Sequence, residues 1–280
     1  MPDWSSVEAR LLRLFILATV SFLWGCVSWL GMVHGGADGI GTTSVGGLRN
    51  GVRMAIEGPH HRLYRRADRA FGTAALVGLV ERASAAVACR FEGAVLSVGD
   101  MSGEAGGRIT GHSSHRSGRD VDFAFFVTDL LGEPLESTPL SRFDRFGLSS
   151  RDDEAILFDT ARNWALVEAL LEDGSAEVQW IFVSRGLKAL LIEWGLEHAA
   201  HPETVARALE VLRQPGDSAP HDDHFHVRIF CPDGMSGAFC ENTGPLWPWT
   251  LAKAASLNPY SDDALAAMAL EGLPEPALED

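Results

Sequence analysis

Two short segments of the chain, RDVDF at 119–123 and HFHVR at 224–228, alternate polar and apolar side chains. In a β-strand residues i and i+2 share one face and residue i+1 takes the other. His224 and His226 are therefore expected together on one side, while Phe225 and Val227 turn into the core. The same alternation sets Asp120 and Asp122 side by side, with Val121 and Phe123 facing the core. Two such strands constrain the fold strongly, because the sheet that holds them must bury one face and keep a titratable cluster on the other.

Five of the ten histidines, His112, His115, His221, His224 and His226, fall within HSSHRSGRDVDF (112–123) and PHDDHFHVR (220–228), together with Asp120, Asp122, Asp222 and Asp223. A single histidine is more often a surface or satisfied core residue, and paired aspartates commonly form turns. Their concentration on two expected strands points instead to a site. A zinc ion of catalytic type takes three nitrogen or oxygen ligands and keeps another position open for water. His115, Asp122 and His226 offer two imidazoles and one carboxylate, and His224 is left beside them to take a proton from water. Amide hydrolysis is the chemistry such a set performs. Gly118 suits a turn with positive φ that returns His115 toward Asp122. Asp120 and Asp223 suit hydrogen bonds to the second nitrogens of the imidazoles. His34, His60, His61, His198 and His201 lack such company and receive no role.

Elsewhere, hydrophobic periodicity predicts helices over 70–89, 160–172, 187–198 and 203–213, and strands over 94–98, 121–127, 178–183 and 225–230. The two types mix without regular βαβ alternation, so the expected class is α+β. At 46% apolar residues the 280-residue chain can bury a sizeable core, and its net charge of -15 argues against a nucleic-acid partner, which needs a basic face.

Residues 14–33 form an uncharged run behind Arg10 and Arg13, and a helix rising about 1.5 Å per residue crosses a hydrocarbon core of about 30 Å in that length. Positive charge on the N-terminal side alone keeps residues 1–13 in the cytoplasm and exports the chain beyond Gly35. Three forms of this signal compete. Its length favours an uncleaved anchor; a cleaved signal peptide lacks a small-residue site near Val33; and Leu23-Trp24-Gly25-Cys26 resembles a lipoprotein signal acylated on Cys26. Cys231 and Cys240 flank a turn-rich loop and suit a disulfide in an oxidising compartment, whereas Cys89 is expected in the core. PLWPW at 245–249 either lines a substrate groove or clamps the end of the domain, with the clamp preferred, and residues 258–280 are expected to form an acidic, loosely held tail.

His115, six intervening residues, Asp122 and then His224-Phe225-His226 resemble the signature of the zinc peptidases that group lysostaphin-type enzymes, D-alanyl-D-alanine carboxypeptidases and the hedgehog signalling domain. VGDMS at 98–102, Gly106-Gly107, GHSSHRSGRDVDF at 111–123 and HDDHFHVR at 221–228 are most similar to the penicillin-insensitive murein endopeptidases, from about Gly46 to Cys240. The resemblance implies a hedgehog/D,D-peptidase-like fold, with a central, mainly antiparallel sheet and flanking helices. It makes residues 36–257 a zinc peptidase domain behind a signal segment at 1–35. It also implies one zinc ion on His115, Asp122 and His226, His224 as general base, and His221 stabilising the tetrahedral intermediate. The bond cut is then the peptidoglycan cross-link between D-alanine and meso-diaminopimelate, with the inner membrane as a further partner through the N-terminal segment. His112 is expected at the site edge.

Arg116 and Arg119 stand where that family carries uncharged residues. The extra positive charge is suited to a carboxylate of the stem peptide, which leaves a D,D-carboxypeptidase as one alternative. A non-catalytic zinc domain that binds cell wall or a protein partner is the other.

Overall fold

The computed structural model describes residues 38–251 except 138–139, 152–153, 199, 217 and 233–238. The apolar run at 14–33, Cys26 and the tail at 258–280 lie outside the described residues. Among those described, no helix is long and apolar enough to cross a membrane.

Thr73 fixes the start of the first described helix, α1 (Ala74–Arg90), by accepting the Leu76 N–H at 3.2 Å. A capping hydroxyl satisfies one of the amide groups that every helix start leaves unpaired. The helix begins at Ala74 rather than at 70 because Phe71–Gly72 pairs as a short strand with Val52–Arg53. Leu76, Val77, Leu79, Val80, Ala83 and Val87 are buried. They share one apolar core with Leu166, Val167 and Leu170 of α2 (Thr160–Leu171). Cys89, expected in that core, is exposed near the end of α1 and disulfide-bonded. Helical rotation explains this, since two residues past Val87 the side chain points away from the buried stripe. Two further helices, α3 (Arg185–Glu197) and α4 (Pro202–Val211), come later in the chain. The predicted helix over 203–213 ends at Val211, where Leu212–Arg213 joins the sheet instead.

That sheet has six strands: β1 (His61–Leu63), β2 (Leu96–Val98), β3 (Asp120–Ala124), β4 (Val178–Phe182), β5 (Leu212–Arg213) and β6 (His224–Ile229). Their spatial order is β5-β4-β6-β3-β2-β1. The three inner pairings are antiparallel, whereas β4–β5 and β1–β2 at the two edges are parallel. The class is therefore α+β, as the lack of βαβ alternation predicts.

The predicted strand over 121–127 divides. After Ala124 the chain leaves the sheet, and Val127–Thr128 joins a separate four-stranded sheet. Asn163 makes the break tolerable: its side-chain oxygen accepts the Phe126 N–H at 3.0 Å and its amide donates to the Phe126 carbonyl at 2.8 Å. Buried backbone groups need partners, and a single carboxamide supplies both that a neighbouring strand would have given. On the core face, Phe125 meets Phe225 edge to face at 4.7 Å between ring centroids, within the same cluster as Val121, Phe123 and Val227. The opposite face is left to the polar residues.

Candidate metal centre

The antiparallel register of β3 and β6 sets His226 opposite Asp122 and Arg228 opposite Asp120. His115 enters from the loop before β3 with φ of 62°, a left-handed conformation uncommon for a residue other than glycine. Its backbone is held on both sides: its N–H donates to Asp120 Oδ2 at 3.1 Å, and its carbonyl accepts the Ser102 hydroxyl at 2.6 Å. Gly118 also has positive φ, 69°, and a Cβ there would stand 2.6 Å from Leu48 and 3.0 Å from the Thr73 nitrogen. Strain of this kind persists only where the surrounding structure enforces it, and it gathers at functional sites.

Four imidazoles surround the Asp122 carboxylate. Oδ1 of Asp122 lies 3.3 Å from His115 Nε2, 3.4 Å from His226 Nδ1 and 3.7 Å from His224 Nε2, while Oδ2 lies 3.9 Å from His112 Nδ1. In each ring the other nitrogen faces an oxygen that can only accept. His115 Nδ1 donates to the Met101 carbonyl at 3.0 Å, and His226 Nε2 donates to Asp120 at 3.0 Å. His224 Nδ1 donates to Asp223 at 2.5 Å and His112 Nε2 to Asp100 at 2.9 Å. In the neutral rings these partners hold the proton on the outer nitrogen, so the four inner nitrogens turn their lone pairs toward the carboxylate. The 3.3 Å approach of His115 Nε2 to His226 Nδ1 is then a contact between two acceptors. Asp122 Oδ1 is itself buried with no hydrogen-bond partner. A buried set of acceptors of this kind is suited to a cation, either a proton or a metal ion.

His112, His115 and Asp122 each offer one ligand atom, all within 4.8 Å of one another, and can hold a metal ion. His226 closes a tighter triangle with His115 and Asp122, with sides of 3.3, 3.3 and 3.4 Å. Burial raises the Asp122 carboxyl, but the neighbouring imidazoles, His115 first, outweigh it and hold the group well below the usual carboxylate range. Burial opposes the charge on His115, yet Asp122, Asp120 and Asp100 push its pKa up, a measure of how negative the site is. His224 behaves likewise, with burial outweighed by its hydrogen bond to Asp223. Burial, with His226 and His224 nearby, pushes His221 down to about 4. Its ring lies 5.4 Å from that of His224, and its Nδ1 is buried without a partner.

Of the predicted site residues, the structure brings together His112, His115, His221, His224, His226, Asp120, Asp122 and Asp223. Arg116 lines an adjoining cavity that His112 also borders. Arg119 does not join them. Alternation sends it to the other face from Asp120, where it is almost fully buried and donates to Asn242 Oδ1 and to the carbonyls of Gly41 and Glu241. The expected substrate contact at Arg119 is therefore corrected to a clamp that ties β3 to both ends of the domain. Cys231 and Cys240 form a disulfide next to it, and Asn242 also accepts the Cys231 N–H. Trp247 packs edge to face on Trp180 at 5.0 Å and donates to the Gln179 carbonyl at 2.9 Å, so PLWPW grips β4.

Sequence reasoning missed Asp100 and Tyr64. Asp100 accepts from both His112 and Arg69, at 2.9 and 3.0 Å. Tyr64 is pushed well above the usual phenol range by burial and then by the charge of Asp122. A Cβ at Gly99 would stand 2.7 Å from the Tyr64 hydroxyl and 3.0 Å from Asp122 Cβ, so this glycine lets the two approach. An acidic residue one glycine past the end of a buried strand, in VGD, was the available signal for Asp100.

Fold and site together define an α+β protein that carries a buried histidine–carboxylate centre able to hold a metal ion on the polar face of its main sheet. The family model described as penicillin-insensitive murein endopeptidase matches residues 39–248, and the chain belongs to that family. It is 30% identical over 205 residues to the penicillin-insensitive murein endopeptidases of Escherichia coli strain K12 / DH10B and Shigella boydii serotype 18, covering 71% of this chain and 69% of each relative.

Proposed function

We propose that this protein is an exported, zinc-dependent D,D-endopeptidase that hydrolyses peptide cross-links of peptidoglycan between D-alanine and meso-diaminopimelate. Membership of the murein endopeptidase family supports the substrate class. The observation that carries the metal is the triangle of His115 Nε2, Asp122 Oδ1 and His226 Nδ1, with sides of 3.3, 3.3 and 3.4 Å. Tetrahedral coordination at about 2.0–2.1 Å places ligand atoms about 3.3–3.4 Å apart. His115, Asp122 and His226 are accordingly the proposed ligands, and a zinc ion there supplies Lewis acidity to water and to the scissile carbonyl.

The remaining residues divide the proton chemistry. His224 keeps Nε2 free because Nδ1–H is committed to Asp223, so Nε2 accepts a proton from the attacking water. The same nitrogen returns it to the leaving amine as the C–N bond breaks. His221, lowered to about 4, is neutral at neutral pH and can donate a ring N–H to the developing oxyanion without carrying charge of its own. Asp120 orients His226, and Asp223 orients His224. The uncharged run at 14–33 supports export and a tether to the inner membrane.

Digestion of purified cross-linked muropeptide dimers, read by mass spectrometry, tests this reading. Conversion of dimers to monomers that needs both metal and His224 is the expected result. Loss of a terminal D-alanine alone moves the protein to the carboxypeptidases, and bound zinc without any cleavage leaves a binding domain.

A further inference from the structure

Beside the metal centre lies a cavity of about 640 Å³ whose lining includes Arg108, Thr110, His112, Ser113 and Arg116. His112 belongs to both, since its Nδ1 lies 3.9 Å from Asp122 Oδ2. The cavity wall is built rather than incidental. The Arg116 N–H donates to the Thr43 carbonyl at 3.1 Å, and the Arg116 carbonyl accepts the Gly107 N–H at 2.8 Å. Gly106 permits this packing, because a Cβ there would stand 2.2 Å from the Arg116 carbonyl oxygen.

The cavity lining holds two arginines, Arg108 and Arg116. In a chain with 38 acidic and 23 basic residues, Arg49, Arg69, Arg82, Arg162 and Arg228 each pair with a carboxylate. Among the described residues no ion pair is formed by Arg108 or Arg116, and Arg116 Nε is buried with no hydrogen-bond partner. A buried donor without an acceptor is costly to leave unmet. Guanidinium groups present forked donors that match a planar carboxylate.

We propose that the Arg108–Arg116 cavity is a subsite for a free carboxylate of the peptide, making the enzyme selective for cross-links whose stem carboxylates are not amidated. This rests on the endopeptidase reading and adds a specificity element to it. The carboxylate seats against Arg116 at the inner wall, with Arg108 at the mouth, and the peptide runs past His112 toward the metal centre.

The test compares full-length wild type, Arg116→Gln and Arg108→Gln on two matched muropeptide dimers, one with free stem carboxylates and one with primary amides. Wild type is expected to favour the free form by at least about tenfold in kcat/KM, mainly through KM. Each substitution is expected to bring the ratio toward one while the bound metal content stays unchanged. Arg108 is exposed, so its variant keeps the test valid if Arg116→Gln fails to fold. Equal cleavage of both dimers by wild type, or undiminished preference in both variants, overturns the subsite and leaves the endopeptidase intact. Failure of wild type to cut either dimer overturns the underlying activity instead.

Discussion

Asp120 accepts the Nε2–H of His226 at 3.0 Å, which turns Nδ1 of that ring toward Asp122. The same carboxylate accepts the backbone N–H of His115 and the Arg228 Nε–H, at 3.1 and 2.7 Å. Two proposed ligands from distant parts of the chain thus share one support. Asp120→Asn keeps the shape but offers one acceptor oxygen in place of two and removes the charge that faces Arg228. Zinc affinity is expected to fall about tenfold to a hundredfold. Competition with a chromophoric chelator measures this, and unchanged affinity would remove Asp120 from the supporting role.

Asp223 raises the His224 pKa against the opposing effect of burial. A general base works in its neutral form, so kcat/KM climbs as pH rises through the pKa of the base. Removing the Asp223 charge lowers that pKa. For Asp223→Asn, the acid limb of the pH–rate profile is therefore expected to move to lower pH, with a reduced plateau because the ring loses its orienting acceptor. An acid limb that stays in place, or moves up, would exclude His224 as the group that sets it.

Metal removal leaves the nitrogen lone pairs of His115 and His226 facing the unpartnered Asp122 oxygen with no cation between them. Chelation is expected to destabilise the fold, and zinc at a hundred times its dissociation constant to restore about 2.7 kcal/mol. Thermal unfolding with and without chelator reports the difference. An unchanged melting temperature would mean that the cluster does not take up metal.

Gly118 combines a φ of 69° with a Cβ position 2.6 Å from Leu48. Gly118→Ala is expected to cost about 1–3 kcal/mol and to weaken metal binding by disturbing the turn that carries His115. A urea midpoint equal to that of wild type would contradict this.

The polar face of the site was legible because alternation is local: DVDF and HFHV state which residues share a side before any partner strand is known. The α+β class and most of the helices came from the same kind of pattern. Tertiary partners left no such trace. Asn163 ends β3 from a helix far along the chain, Asp100 reaches His112 across a loop, and Arg119 is buried through acceptors near both ends of the domain. The charge of Arg119 suggested a substrate contact, while its place in the alternation, opposite Asp120, already pointed elsewhere. Cys89 misled for a similar reason, since its apolar neighbours concealed that it lies on the outer side of α1.

Metal content tests the proposed centre most directly. Full-length wild type and the His112→Ala, His115→Ala, Asp122→Ala and His226→Ala variants would be equilibrated with zinc, freed of excess ion and analysed by mass spectrometry. One equivalent of zinc in wild type and in His112→Ala, with loss from the other three, is the predicted result. Zinc retained by His226→Ala but lost from His112→Ala would contradict the ligand set and transfer the ion to the His112, His115 and Asp122 cluster.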